Sequence, residues 1–281
     1  MRKTIICAVS ALVVMAVGCK SVSEEQKVSD YEAKVEALME SYQTKTDAIV
    51  NDSTLTDEAR RASLESLYNE TLEEYLADAK SVIKKNPSSP VALVALKEVY
   101  SSLEDAELEE FIGMIKGDVA DTSAFIASLK EALASKKATA EGQMFTDFTI
   151  VQDPDNAETS TVKFSDYVGN GKYVLVDFWA SWCGPCKREI PNIAAVYDKY
   201  RGDDFDVLSV AVWDKPEDTK KAAAEHGVVW NQIINAQKIA TDIYGIEGIP
   251  HIMLVGPDGT IVKRDLRGEN IEKAVAEALG R

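Results

Sequence analysis

The sequence predicts two folded parts in series: an all-α N-terminal domain, then an α/β C-terminal domain whose central mixed sheet is flanked by helices. Three observations carry this expectation. The chain has 281 residues, enough at roughly 100–200 residues per domain for two cores. Residues 24–140 are poor in Gly and rich in Ala, Leu, Glu and Lys, with apolar positions recurring at three and four. Beyond about residue 140, Gly, Asp, Trp and β-branched residues rise, and buried-type apolar runs alternate with helical patterns.

Within the first part, helices are expected over about 24–50, 57–85, 90–99, 105–115 and 122–136, packed antiparallel with one buried stripe each. Thr56 serves as an N-cap, followed by Asp57 and Glu58 in the dipole-favoured first turn. Lys84 and Lys85 suit the last turn, and Asn86-Pro87 stops the helix. Ser89 caps the next helix, with Pro90 at its first position. No Cys or His lies in this part, and no cluster there points to chemistry. Its charged faces read as solvated, with a docking role as the alternative.

In the second part, short strands are expected over 148–151 and 161–164 around Asp153-Pro154-Asp155-Asn156. Residues 173–179 form an apolar run broken only by Asp177, as a buried central strand requires. A helix over 185–200, a buried strand over 205–213, and helices over 216–226 and 237–244 follow. A hairpin over 251–264 turns at Gly256-Pro257-Asp258-Gly259. Asn270 is expected to cap the last helix, 271–279.

The N-terminus reads as an address. Arg2 and Lys3 precede a charge-free apolar run over 4–17. That run is shorter than the about 20 residues a spanning helix needs, and it fits a signal peptide. It ends Ala16-Val17-Gly18-Cys19, which resembles the lipobox of bacterial lipoproteins. The resemblance implies cleavage after residue 18 and lipid on Cys19, hence a membrane-anchored protein facing the periplasm. The expected organisation is therefore a signal peptide (1–18), a polar lipid-anchored tether (19–27), a helical domain (28–140) and a second domain (141–281). Cys7 falls in the discarded segment and has no assigned role.

Charge excludes some classes of function. The net charge of −16 argues against nucleic acid, which selects a cationic footprint. The acid is spread over both parts: residues 24–140 carry 24 acidic and 13 basic side chains, residues 141–281 carry 23 and 15. Only His226 and His251 are present, so a histidine-based metal site is not expected. His226 reads as a surface residue, and His251 as a packing or tuning residue. No cofactor is expected beyond a redox-active cysteine pair.

That pair is Cys183 and Cys186, the only cysteines outside the leader region. They sit at a strand-to-helix junction in Asp177-Phe178-Trp179-Ala180-Ser181-Trp182-Cys183-Gly184-Pro185-Cys186-Lys187. Two cysteines at i, i+3 can close a small disulfide. At a helix start, the unpaired N–H groups and the dipole favour the Cys183 thiolate, the form that attacks. Cys186, a turn inside, is then the resolving thiol. A carboxylate buried at Asp177 would be driven toward neutrality and would suit a proton acceptor for Cys186.

This motif is very similar to that of the thioredoxin superfamily, over residues 141–281. Glu189 and Pro191, and the long segment 214–245, resemble the TlpA/ResA-like membrane-anchored branch. Gly248-Ile249-Pro250 is similar to the family's cis-proline loop. The resemblance implies a thioredoxin-like domain with Cys183, Cys186 and Asp177 as catalytic residues. Trp182, Gly184, Pro185, Ile249 and Pro250 would form the active-site loop and substrate surface, with Glu189 and Pro191 in support. Pro191 would kink the active-site helix. Thioredoxin's lysine on the strand beside the buried Asp has no match within 207–213. Implied partners are disulfide-containing envelope proteins, apocytochromes c among them, and a membrane thiol donor. The Gly-Pro dipeptide favours the reducing direction.

Other readings of the pair have less support. A zinc knuckle lacks two ligands, and a c-type haem site lacks His after Cys186. A thiol peroxidase needs Pro-x-x-x-Thr-x-x-Cys, which the residues before Cys183 do not supply. A partner-binding role, with the helical part recruiting a protein and redox activity secondary, is the alternative function. Trp179 is expected in the core, and Trp182 on the lip of the substrate surface.

Overall fold

Ser23 opens the first helix: its hydroxyl accepts the N–H of Gln26 at 3.2 Å, and Glu24 and Glu25 occupy the first turn. The computed structural model describes residues 22–281. The signal segment, Cys7 and the lipidation position Cys19 lie outside the described residues. Helix α1 spans Glu24–Asn51. The tether expected over 19–27 is corrected at its C-terminal end, because Glu24 to Lys27 are already helical. The Ser23 cap, a Lys27–Glu24 ion pair at 2.6 Å and a hydrogen bond from Ser89 to Glu24 hold that turn.

Helix α2 (Asp57–Lys85) begins at N-cap Thr56 and stops at Asn86. Helix α3 (Pro90–Val99) has Ser89 as its cap and Pro90 at its start. Helix α4 (Asp105–Met114) and a single turn, α5 (Asp118–Asp121), complete this unit. Helix α2 is central and packs against α1, α3 and α4. The most apolar helix, α3, buries Val91, Ala92, Ala95, Leu96 and Val99. Each fully buried Leu or Val contributes about 1.5–3 kcal/mol.

Two compact units divide between Ser123 and Ala124. The boundary expected at residue 140 is therefore displaced toward the N-terminus. Helix α6 (Ala124–Ala138) belongs to the second unit, where it packs against α10 (Ile239–Tyr244). Its buried stripe of Ile126, Leu129 and Leu133 was visible in the sequence. Periodicity reports that a stripe exists, not which neighbour covers it.

The second unit opens with an antiparallel pair, β1 (Thr149–Val151) and β2 (Thr161–Lys163), with the one-turn helix α7 (Ala157–Ser160) between them. The remaining elements are β3 (Tyr173–Trp179), α8 (Gly184–Tyr200), β4 (Phe205–Ala211), α9 (Pro216–His226), β5 (Asn231–Ile233), then α10, β6 (His251–Val255), β7 (Ile261–Lys263) and α11 (Glu269–Leu279). The sheet order is β5-β4-β3-β6-β7. Strands β3, β4 and β5 run parallel, and β6 and β7 are antiparallel to their neighbours. This is the mixed sheet flanked by helices that a thioredoxin-like domain requires.

Several details depart from expectation, among them the end of β4 at Ala211 rather than residue 213 and the start of α10 at Ile239 rather than residue 237. Strand β5 was not foreseen: Asn231 and Gln232 give it no apolar pattern, and pairing with β4 makes it a strand. Asn270 does not cap α11, which begins a residue earlier, behind Gly268.

Side-chain alternation sorts β3 onto two faces. Val174, Val176 and Phe178 join a core with Phe164 and Tyr244. Leu175 and Trp179 face Ile190 and Ile193 of α8 and Val275 of α11. Asp177 lies between Leu175 and Trp179 and so shares the α8 side, where Cys183 and Cys186 are also buried. On leaving α6, the chain laces along β7: Gly142 N donates to Ile261 O, Ile261 N to Gln143 O and Phe145 N to Gly259 O, at 2.8–2.9 Å.

Candidate active site

Cys183 is the N-cap of α8 and Cys186 lies in its first turn, joined to it by a disulfide with an S–S distance of 2.00 Å. The Cys186 N–H donates to Cys183 Sγ at 3.1 Å. An orphan donor of the helix start thus already points at the sulfur that would carry negative charge on reduction. Cys183 and Cys186 are 3% and 1% exposed, while Trp182, next to Cys183 in the chain, is 59% exposed. Both sulfurs are therefore buried, beneath a solvent-facing aromatic lip. Pro185 and Pro191 are exposed, and α8 continues through Pro191 as a single helix.

Opposite the cysteines, the Ile249–Pro250 peptide bond is cis. Ile249 O lies 3.6 Å from Cys183 Sγ, so the loop faces the nucleophile through its backbone. Arg267 donates to Pro250 O, and the next residue, Gly268, donates its N–H to Glu189 on α8 at 3.1 Å. Glu189 therefore ties the active-site helix to the segment that secures the cis-proline loop. His251 follows that loop in a buried position. Burial lowers its proton affinity, against a hydrogen bond to Asp265 that raises it. The ring is in contact with Phe178. Groups able to hold a metal ion are absent among the described residues. Exposed His226 ends α9.

Asp177 is 1% exposed. Burial pushes its carboxyl up to about 7; the Ser209 hydrogen bond and Arg267 oppose this, and Glu189 adds to it. Parallel register sets Asp177 opposite Ser209 of β4. Ser209 Oγ donates to Asp177 at 3.4 Å and accepts from Trp230 Nε1 at 2.9 Å. The neighbouring strand thus supplies a hydroxyl, itself held by an indole, beside the buried carboxyl. Asp177 Oδ1 has no hydrogen-bond partner among the described residues.

Sequence reasoning missed Asp214, just beyond β4. Its carboxylate accepts from Ser181 N at 2.7 Å, Ser181 Oγ at 2.9 Å, Lys215 N at 2.9 Å and Thr219 Oγ1 at 2.8 Å. Trp213, held at φ 53°, turns its carbonyl to accept Trp182 Nε1 at 3.0 Å. Trp213 and Asp214 thus grip the two residues ahead of the nucleophile. A lone Asp after a strand has no motif; only the fold brings it to Ser181. Asp214→Ala is expected to destabilise the chain by about 3 kcal/mol, since it strands one buried donor, Thr219 Oγ1, and three part-buried ones. Urea unfolding measures the loss, and a change below about 1 kcal/mol would refute this role for Asp214.

A family model described as the AhpC/TSA family matches residues 141–264. The thiol-disulfide oxidoreductase ResA of Geobacillus thermodenitrificans (strain NG80-2) is 30% identical over 128 residues, covering 46% of this chain and 70% of that protein. The chain belongs to the ResA-like thiol-disulfide oxidoreductases. ResA of Bacillus subtilis (strain 168) is 25% identical over 130 residues, covering 46% of this chain and 69% of the relative. Among solved structures, the thioredoxin domain of a Bacteroides vulgatus thiol-disulfide oxidoreductase has 33% identity and a TM-score of 0.43, covering 49% of this chain and 96% of that one. A putative thiol:disulfide interchange protein DsbE from Chlorobium tepidum has 29% identity and a TM-score of 0.44, covering 50% and 99%. In this ResA-like chain, helices α1 to α6 precede the segment that the family model matches.

Proposed function

We propose that this thiol-disulfide oxidoreductase reduces disulfides of cell-envelope proteins through Cys183 and Cys186, anchored to the membrane by lipid on Cys19 and facing the periplasm. The observation that carries the chemistry is the dithiol at the start of α8, with Cys183 set against the cis-proline loop. In the reduced enzyme, the Cys183 thiolate attacks one sulfur of a partner disulfide and expels the other as a thiolate. The Cys186 thiol passes its proton to the Asp177 carboxylate and attacks the Cys183 sulfur. That step releases the partner's second thiolate and closes the Cys183–Cys186 disulfide. Two electrons reach the partner, and a membrane thiol donor must return them.

Trp182, Gly184, Pro185 and the Ile249–Pro250 backbone would form the surface that receives the partner. Glu189 would keep α8 and the loop in register, and Pro191 would shape the helix beyond it. The lipid assignment rests on the Ala16-Val17-Gly18-Cys19 sequence. Among the described residues, no helix is long and apolar enough to cross a membrane.

The equilibrium potential of the pair against glutathione tests the direction. A value near thioredoxin's about −270 mV is expected for a reductant. A value near the about −120 mV of DsbA would make the enzyme an oxidant instead.

A further inference from the structure

One arginine holds both stems of the cis-proline loop. Arg264, just past β7, donates through Nη2 to Tyr244 O at 2.8 Å, where α10 ends and the loop begins. Its Nε donates to His251 Nε2 at 3.3 Å, where the loop ends. Through Nη1 it donates at 2.7 Å to both the carbonyl and the hydroxyl of Thr139, the residue just past α6. His251 presents an acceptor to Arg264 because its Nδ1 is engaged by Asp265 at 2.8 Å. The planar guanidinium suits such a junction: its donors diverge in fixed directions and between them reach three segments, with Nη2 also 3.2 Å from His251 Nε2.

Helix α6 meets the same loop a second time. Gly245 adopts φ +60°, and a Cβ there would lie 2.6 Å from both Ala132 O and Lys136 Cγ. The α6 backbone therefore approaches the loop's first residue closer than any side chain would allow. Lys136 also pairs with Glu247 at 3.3 Å. Helix α6 lies ahead of residues 141–264, the segment shared with the AhpC/TSA family. Loop placement in this chain thus draws on an element outside that shared segment.

We propose that Arg264 is a positioning residue for substrate recognition, and that with α6 it forms a clamp fixing the cis-proline loop for an incoming polypeptide disulfide. The clamp touches neither Cys183 nor Cys186. It acts on the surface that must align a protein partner, not on the sulfurs. This rests on the assignment of the Ile249–Pro250 loop to partner binding.

The test compares two disulfides in single-turnover reactions of the pre-reduced full chain. Insulin needs a polypeptide surface, whereas dipyridyl disulfide needs only the thiolate. Arg264→Gln and the milder Thr139→Ala are the variants. For Arg264→Gln the insulin rate constant should fall roughly tenfold or more, as for a misplaced binding element. Its rate with dipyridyl disulfide and the dithiol potential should stay within about twofold and about 10 mV of the parent. Thr139→Ala should give a smaller drop in the same direction. Equal loss with both disulfides in both variants, a shifted potential, or an unchanged insulin rate would overturn the proposal. Failure of the partner-binding assignment is told apart by Ile249→Asp, placed in the loop itself. If that variant reduces insulin normally, the loop is not the docking surface. If it is impaired while Arg264→Gln is normal, only the clamp is wrong.

Discussion

Cys183→Ser should abolish disulfide exchange, with turnover falling by at least about a thousandfold, because no other nucleophile replaces the sulfur. Cys186→Ser should behave differently. The nucleophile at the start of α8 remains, with its helical N–H groups intact, so the first attack proceeds and the mixed disulfide cannot resolve. Incubation with oxidised insulin and non-reducing electrophoresis should show a Cys186→Ser–substrate adduct, and none with Cys183→Ser. The reverse pattern would reassign the attacking role to Cys186. Both sulfurs are buried in the oxidised pair, Cys183 at 3% and Cys186 at 1% exposed, so the assignment rests on Cys183 standing at the helix N-cap against the cis-proline loop.

Asp177→Asn should stabilise the protein at alkaline pH while impairing the resolving step. The carboxyl ordinarily ionises near 3.8, and burial in the fold pushes it up to about 7. Below about pH 4 the group is protonated in both folded and unfolded chains, so this group imposes no penalty. Between about 4 and 7 the unfolded chain ionises first, and stability declines as pH rises. Above about 7 the full cost is reached, about 4 kcal/mol from a displacement of roughly three pH units at 1.36 kcal/mol each. Urea unfolding at about pH 5 and about pH 8.5 should show the parent losing stability over this interval through Asp177. The Asn variant should lose less. In stopped flow, resolution of the mixed disulfide should lose its rise in rate near neutral pH. Identical pH slopes for parent and variant would show that Asp177 is not the buried base described.

Much of the redox unit was legible because its signals are local. Strand β3, helix α9 and strand β6 begin and end where the apolar runs and Pro216 place them. The caps at Thr56 and Ser89 form as read. The dithiol and the cis bond at Pro250 were legible by resemblance. What escaped depends on distant segments meeting. Asp214 acquires meaning only beside Ser181, and Ser209 only in parallel register with Asp177 and under the indole of Trp230. Helix α6 was read as the end of the helical part because composition changes at residue 140. Composition tracks solvent exposure and propensity, and α6 is an ordinary amphipathic helix whose apolar face belongs to the later unit. Asn270 showed the converse error: a good capping residue loses its place when Gly268, tied to Glu189, starts the helix earlier.

The strip that follows α6 has a consequence for how copies of this enzyme coexist in a crowded compartment. A sheet rim with bare amide and carbonyl groups invites another chain to add a strand. Here Gly142 and Gln143 already pair with Ile261 of β7, and Phe145 with Gly259 in the turn before it. A strand added along that side would have to displace these bonds at Ile261 first.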